Sequence, residues 1–277
     1  NNTVGLSAAG LVNITGDRTQ GVIISGLTSI GGDNTSGLMI SGFMNVTGNM
    51  ASGLHFSGAA NITGQSFGGL MASGLLNVVG EHMNGLQMAG IANITASKLN
   101  GVQIALCNYA TQARGLQIGL VNYYKEDMKG FQLGLVNANP DTRVQMMVYG
   151  GNATPANIGV RFKNQLFYTI LGIGSMYQGL NDKFSASASY RAGLSFTLYK
   201  GLSISGDLGY QHIEAFDNKD EVIPKRLYAL QARANLEYQF TRKFGIFATG
   251  GYGLTRFYNK SSNYDKGAII EAGIVLF

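Results

Sequence analysis

The chain has 277 residues, room for two domains, and only 13% of them are charged, about half the usual share for a soluble domain. The net charge of +5 is spread along the chain without a basic patch that includes aromatic residues, which argues against a nucleic-acid partner. No run of roughly 18 apolar residues occurs, so the sequence predicts no transmembrane helix. The 40 glycines, 14 tyrosines and 14 phenylalanines are typical of a β-rich, membrane-associated protein.

A repeat of 14–16 residues fills the first half of the chain, for example GLMISGFMNVTGNMAS at 37–52 and GLHFSGAANITGQSFG at 53–68. Each copy opens with a glycine, and the opening glycines are Gly5, Gly21, Gly37, Gly53, Gly69, Gly85, Gly101, Gly115 and Gly130. A fixed period this short predicts one structural unit stacked on copies of itself.

Alternation within each copy predicts a short strand after the opening glycine. The residues one and three places after that glycine are apolar in every copy, as Leu38 and Ile40 are, whereas the residue between them varies. We expect the two uniform columns to face the interior of the stack. The variable column, which includes Ile23, Met39 and Met71, is then expected to face outward.

A second strand in each copy carries Ile14, Val46 and their equivalents, after a glycine-containing corner. A further apolar row on this strand includes Val12, Met44 and Leu76. Charged residues are sparse from Asn1 to Asn137, so little is predicted to keep the surface solvated. We therefore predict that a partner protein or the membrane covers the outward apolar residues Ile23, Met39, Met71, Val12, Met44 and Leu76.

An asparagine recurs seven or eight positions after most opening glycines, and its side chain is expected to bond to the next copy and to the corner backbone. The predicted fold of residues 1–140 is a β-solenoid of about nine coils with two short strands per coil. Transmembrane hairpins are disfavoured because strands of about six residues are shorter than the roughly 9–11 that span a bilayer. The glycine density argues against helical repeats. Cys107 occupies the position of Val121 and Val136 in later copies and is expected to be a buried apolar residue.

Residues 141–277 follow a different pattern and predict an eight-stranded antiparallel outer-membrane β-barrel. The eight alternating segments are Arg143–Gly151, Ala156–Lys163, Leu166–Gln178, Phe184–Tyr199, Leu202–Phe216, Arg226–Phe240, Phe244–Tyr258 and Lys266–Phe277. Tight connections at 164–165, 200–201 and 241–243 alternate with mostly longer ones. Outer-membrane barrels have short periplasmic turns, so both ends of the barrel, and with them the solenoid, are expected on the periplasmic side.

Charged residues of both signs are predicted inside the barrel, because their neighbours of opposite parity are apolar. They are Arg161, Arg191, Asp207, Arg233 and Glu237. An eight-stranded barrel is only wide enough for its own side chains. We therefore expect these charges to pair into a plug, which makes the barrel an anchor rather than a pore.

No catalytic, cofactor or metal site is predicted from the residues. Ser203, Ser205, His212 and Glu214 share one predicted strand, but its serines and histidine are too far apart to act together as nucleophile and base. The acidic residues within 217–221 are interrupted by Lys219, and a solvated loop is the expected structure.

Three features of the sequence resemble known families. GLQIGLVN at 115–122 and GFQLGLVN at 130–137 resemble the surface-repeat motif of bacterial outer-membrane proteins of largely unknown role. The final GAIIEAGIVLF resembles the carboxy-terminal signal read by the barrel-assembly machinery, although either of its two rows, one with Glu271 and one with Ile270, could face the lipid. The half of the repeat that reads Asn-Val/Ile-Thr-Gly, as at 45–48 and 61–64, also resembles ice-binding β-rolls.

The leading hypothesis is a non-enzymatic bacterial outer-membrane protein in which the barrel is an anchor and the solenoid an interaction surface within a larger envelope complex. Its expected partners are outer-membrane lipid and an envelope protein, and no cofactor is expected. One alternative is a surface adhesin or ice-binding type of protein with the solenoid outside the cell. The other is a lipid-modifying barrel enzyme that uses His212. The chain starts without Met or a visible signal peptide, as a mature or trimmed chain would.

Overall fold

The computed structural model describes residues 2–175, 177, 184–216, 226–258 and 263–277. The chain divides into two compact units, Asn1–Pro140 and Asp141–Phe277. The described residues form strands and connections, which confirms the predicted all-β class with a solenoid followed by a closed eight-stranded barrel. No helix in the described part of the chain is long and apolar enough to cross a membrane.

The first unit is a parallel coil in which each strand pairs with its equivalents in the coils before and after it. In chain order its strands are β1 (Asn2–Ala9), β2 (Val12–Ile14), β3 (Arg18–Ser25), β4 (Thr28–Gly31), β5 (Asn34–Ser41), β6 (Met44–Thr47), β7 (Met50–Ser57), β8 (Ala60–Thr63), β9 (Ser66–Ser73), β10 (Leu76–Val79), β11 (His82–Ala89), β12 (Ala92–Ile104), β13 (Cys107–Ile118), β14 (Val121–Leu133) and β15 (Val136–Ala138). Odd-numbered strands from β1 to β11 form one stack and even-numbered strands from β2 to β10 form another. In β12, β13 and β14 the second strand of one copy continues into the first strand of the next as one longer strand, and β12 pairs with both β10 and β11.

The opening glycines explain why the repeat is so regular. All nine have a positive φ, between +108° and +146°, which other residues rarely adopt. Each opening glycine also stacks directly on the one before it. A Cβ atom added to Gly37 would lie only 2.1 Å from the carbonyl oxygen of Gly21. A side chain at this position is therefore excluded both by backbone conformation and by space.

The predicted facing of the first strand is wrong. Ile23, Met39 and Met71 are buried inside the coil, with at most 1% of their surface exposed, whereas Ile24 and Ile40 face outward with 40% and 36% exposed. The alternation was correct, but an alternating pattern does not determine which row lies inside. Ile23, Met39 and Met71 therefore cannot belong to a contact surface.

The second strand is likewise turned with its uniform apolar row outward. Its asparagines face the interior, where the carboxamides find hydrogen-bond partners, so the residues on either side of them must face out. Val12 is exposed, and Met44 and Leu76 are half-buried on the outside. Ile14 and Val46, expected inside, also lie on the outside, as does Cys107, which is exposed rather than buried.

The second unit is the closed antiparallel barrel. Its strands are β16 (Arg143–Gly151), β17 (Ala156–Asn164), β18 (Phe167–Ser175), β19 (Ser185–Tyr199), β20 (Leu202–Ala215), β21 (Arg226–Thr241), β22 (Phe244–Phe257) and β23 (Asn263–Leu276), and β23 closes the barrel on β16. On β23 the row with Glu271 and Val275 is buried and Ile270 faces outward. The structure thus fixes the facing of the last strand.

Candidate functional site

The interior of the solenoid holds a continuous ladder of asparagines. From Asn45 to Asn137 each Nδ2 donates to the Oδ1 of the next asparagine at 2.8–3.0 Å. The same Nδ2 atoms also donate to main-chain carbonyls at the end of the neighbouring strand, as Asn61 does to Ala72 at 2.8 Å. Thr47 and Thr63, which follow two residues after an asparagine, are buried as well. The coil therefore does not present these threonines outward as an ice-binding face would require.

The outside of the solenoid carries what we call the outer apolar surface. It comprises the residues one and three places after each opening glycine, such as Leu38 and Ile40, the flanking residues of the second strand, such as Met44 and Val46, and the corner between them. The corner residues are Leu11, Leu27, Phe43, Ala59, Leu75, Ile91, Leu106, Leu120 and Leu135. All of them except Ala59 are exposed, by 39–66%. This surface contains no Asp, Glu, Lys or Arg.

The charges of the repeat lie in a separate stretch of each coil, between the second strand and the next opening glycine. They are Asp17, Arg18, Asp33, Glu81, Lys98, Arg114, Lys125, Glu126, Asp127 and Lys129. This face carries a groove of about 670 Å³ whose lining combines polar residues, such as Arg18, Asn34 and Asn84, with the apolar Val4 and Met50. Short ladders cross it, such as the hydrogen bond from Ser52 to Ser36 at 3.2 Å. The solenoid is therefore amphipathic around its circumference.

The predicted inner charges of the barrel lie in its lumen and are paired. Arg161 binds Glu237 through two nitrogens, at 2.6 and 3.0 Å, and donates to Gln145 Oε1 at 2.9 Å. Arg191 holds Asp207 with two bonds of 2.8 Å. All five charged side chains predicted to lie inside, Arg233 included, are at least nine-tenths buried.

Neutral side chains also bind Asp207. The Oδ2 atom of Asp207 accepts hydrogen bonds from the Tyr168 hydroxyl and from Asn235 Nδ2, both at 2.8 Å. Asn235 Oδ1 in turn accepts from Arg191 at 3.1 Å. Arg191, Tyr168 and Asn235 thus hold the carboxylate from several sides, so this part of the lumen is packed and hydrogen-bonded rather than open.

Glu271 is an inner residue that the sequence analysis did not assign to the lumen. Its two oxygens accept from Arg233 at 3.1 and 3.2 Å, and one of them lies 3.7 Å from Arg191 Nη1. The network contains three charges of each sign, namely Arg161, Arg191 and Arg233 and the carboxylates of Asp207, Glu237 and Glu271. The sequence does carry a sign of this role, because Glu271 is the one charged residue in the otherwise apolar GAIIEAGIVLF.

The candidate residues for lipid chemistry are not assembled into a catalytic site. Ser203 and Ser205 are buried on the inner face of β20, whereas His212 and Glu214 lie on its outer face. His212 Nδ1 is 2.9 Å from the Tyr258 hydroxyl, and Glu214 is 3.4 Å from Arg226 Nε. The acidic residues Asp217, Asp220 and Glu221 lie outside the described residues. Within the described part of the chain, no three His, Cys, Asp or Glu side chains form a group that could hold a metal ion.

These features define an amphipathic parallel β-solenoid and a closed antiparallel barrel with a filled, charge-paired lumen. No protein-family model and no curated protein matches the chain, so the likeness of residues 115–137 to surface-repeat proteins stays a prediction. Among solved structures, the chain is similar to one described as a de novo designed transmembrane β-barrel (TM-score 0.31, 14% identity, 48% of this chain and 91% of that chain covered). It is also similar to the N-terminal β-barrel domain of Pseudomonas aeruginosa OprF (TM-score 0.32, 16% identity, 48% and 93% covered).

Proposed function

We propose that the chain is a non-enzymatic protein of a bacterial outer membrane, with the barrel as its anchor and the solenoid as an interaction surface in a larger envelope assembly. The outer wall of the barrel supports the membrane location. Ile173, Leu208 and Ile270 expose about two thirds or more of their surface there (66%, 72% and 67%). An apolar outer wall around a polar lumen is the arrangement of a barrel that lies in lipid.

The observation that carries the anchor role is the filled lumen. Six buried charges pair with one another and with neutral partners, so moving an ion through the barrel would require breaking several charge-assisted hydrogen bonds at once. Eight strands also leave no room for a water-filled channel beside such side chains. A role as a pore is therefore disfavoured.

The periplasmic location of the solenoid is part of the proposal. β16 begins, and β23 ends, at the end of the barrel that carries the tight turns after Asn164, Tyr199 and Thr241. Short turns face the periplasm in outer-membrane barrels. The chain that enters β16 would then come from the periplasmic side.

Two experiments test the proposal. In planar bilayers the purified chain is expected to give no steady single-channel currents, and large steady currents would contradict the anchor role. For the side of the solenoid, Asn84→Cys in a Cys107→Ala background is treated with a membrane-impermeant maleimide in intact cells. Labelling is expected only after the outer membrane is permeabilised, whereas Lys219→Cys, in a predicted outer connection, should react without permeabilisation. Labelling of Asn84→Cys in intact cells would favour the adhesin alternative.

A further inference from the structure

The outer apolar surface is too large to be an ordinary feature of a water-exposed protein. The stack has nine opening glycines, and nine coils at a strand spacing of roughly 4.8 Å extend for about 40 Å. Two rows on each side of the corner make the surface about 25 Å wide, on the order of 1,000 Å² in all, whereas the largest apolar patch of a typical monomer covers a few hundred Å². Something apolar must cover it.

Main-chain polar groups on this surface are already paired, which lipid requires of any backbone it surrounds. The strands bond to the coils before and after them, and the same pairing continues through the corners. Phe43 N donates to Leu27 O at 2.8 Å, Ala59 N to Phe43 O at 2.8 Å, and Leu75 N to Ala59 O at 2.9 Å. Only the two ends of a coil stack present open strand edges.

The side chains favour lipid over protein as the covering partner. A protein interface contains about one hydrogen bond per 100–200 Å² and a polar rim, so a surface of this size would need roughly five to ten bonding groups. Among its flanking rows, Thr28, Cys107, Tyr109 and Tyr123 carry the polar side-chain atoms, and the rest are Leu, Ile, Val, Ala, Met and Phe. Tyr109 and Tyr123 stack at 5.8 Å near one end of the surface, and tyrosine is enriched where a membrane meets water.

The shape of the outer apolar surface also favours lipid as the covering partner. The two apolar faces meet at the exposed corner of Phe43, Leu75 and Ile91, so the surface is convex. A second copy of the chain, placed against one face, would leave the other face uncovered. Fluid acyl chains can cover both faces and the corner together, while the charges on the opposite face, such as Arg18 and Lys98, stay in water.

We propose that the outer apolar surface of the solenoid inserts into the acyl-chain layer of the membrane leaflet next to it, with the polar face and its groove turned toward the aqueous phase. This inference rests on the proposed function, because it takes the barrel as the part that holds the chain at a membrane. It gives the solenoid a lipid partner on one side and leaves the opposite side for water-soluble partners.

The chain contains no tryptophan, so a single introduced tryptophan reports its own surroundings without background. Full-length Phe43→Trp and Leu75→Trp report on the corner, Asn84→Trp on the polar face, and Leu208→Trp on the outer wall of the barrel. Each variant is reconstituted in vesicles of phosphatidylcholine with and without brominated acyl chains, which quench nearby tryptophan. Circular dichroism identifies any variant that does not fold, and the two corner variants substitute for each other in that case.

The expected result is a blue-shifted emission and a loss of fluorescence for the corner variants comparable to that of Leu208→Trp, with Asn84→Trp unquenched. Quenching of Leu208→Trp without quenching at the corner would overturn the inference and leave the barrel anchor intact. Blue-shifted but unquenched corner emission would likewise overturn it, in favour of a protein cover. Quenching of Asn84→Trp as strongly as the corner would refute the one-sided arrangement. Absence of quenching at all four positions would instead contradict the proposed function.

Discussion

Asn45 donates its Nδ2 to Asn61 Oδ1 at 2.8 Å, but its own buried Oδ1 receives no hydrogen bond. The direction of the ladder explains the difference, since each asparagine donates toward the next coil and accepts from the previous one. In the previous coil the equivalent position is Ser29, whose hydroxyl pairs with Ser25 at 2.8 Å. The ladder is therefore interrupted at one position.

Ser29→Asn is expected to repair this interruption. The new Nδ2 would donate to Asn45 Oδ1, and a hydrogen bond made to a buried, unpaired oxygen should add about 1 kcal/mol to the free energy of unfolding. Urea unfolding of the full chain, followed by circular dichroism, measures the change. Thr28→Asn is the matched control, because it introduces the same residue one position earlier, on the outer face. If the two variants were equally stable, the proposed direction of the ladder would be wrong.

Asn61→Leu is expected to destabilise the solenoid strongly. The substitution removes the bonds to Ala72 O at 2.8 Å and Asn77 Oδ1 at 2.9 Å, and Asn45 Nδ2 loses the bond to Asn61 Oδ1 while it keeps the one to Phe56 O. Three lost bonds at about 1 kcal/mol each predict a loss of roughly 3 kcal/mol. Asn84→Leu, on the exposed polar face, should cost far less by the same urea titration. Similar losses for the two variants would contradict a buried ladder at the centre of the stack.

The sequence was sufficient for the period, the number of coils and the inward asparagines, because each follows from the spacing of glycine and asparagine. It did not determine the facing of Met39 and Ile40. Two opposite facings give the same alternation, and choosing between them required the assumption that uniform apolar rows lie inside. Here the uniform row is outside, a pattern that is also expected of strands whose outer face is covered by something apolar.

In the barrel the sequence predicted most strands to within two or three residues at each end, since long alternating segments end at tight turns. It also identified Arg191 and Asp207 as inner residues. Glu271 was not assigned to the lumen because it shares its row with the terminal Phe277, which left both facings of the last strand open. A buried carboxylate in an apolar strand needs a cation as its partner. The partners of Glu271 are arginines on other strands, so the pairing became visible only in the folded barrel.

His55 should make the stability of the solenoid depend on pH. Its side chain is buried between the coils, its ring packs edge-on to Phe67 at 4.9 Å, and burial lowers its pKa from 6.5 to about 4. The unfolded chain therefore binds a proton between pH 6.5 and about 4 that the folded chain does not. The stabilising effect of the neutral ring is complete above pH 6.5 and is lost as the pH falls toward 4, by roughly 3 kcal/mol in total.

Urea unfolding at pH 7.5, 5.5 and 4.5 measures this dependence, and His55→Gln is the matched control. Gln87 and Gln103 occupy the same inward column in later coils, so glutamine is a residue that the column already accommodates. The difference in unfolding free energy between the wild type and His55→Gln is expected to change across this range. Parallel pH profiles would show that His55 is not the group responsible.

Glu271→Ala is expected to destabilise the barrel without opening it. The substitution removes the acceptor of two bonds from Arg233 and the carboxylate 3.7 Å from Arg191, so the buried Arg233 loses its carboxylate while Arg191 keeps Asp207. Removing one partner of a buried pair typically costs about 3–5 kcal/mol. The unfolding temperature of the barrel in detergent should therefore fall clearly. It is measured by the shift in electrophoretic mobility that accompanies unfolding.

Glu214→Ala is the control. It breaks a half-exposed pair with Arg226 on the outer wall and should change the unfolding temperature little, because such pairs are worth about 0–1 kcal/mol. Equal shifts for the two variants would mean that the inner charges do not hold the barrel together.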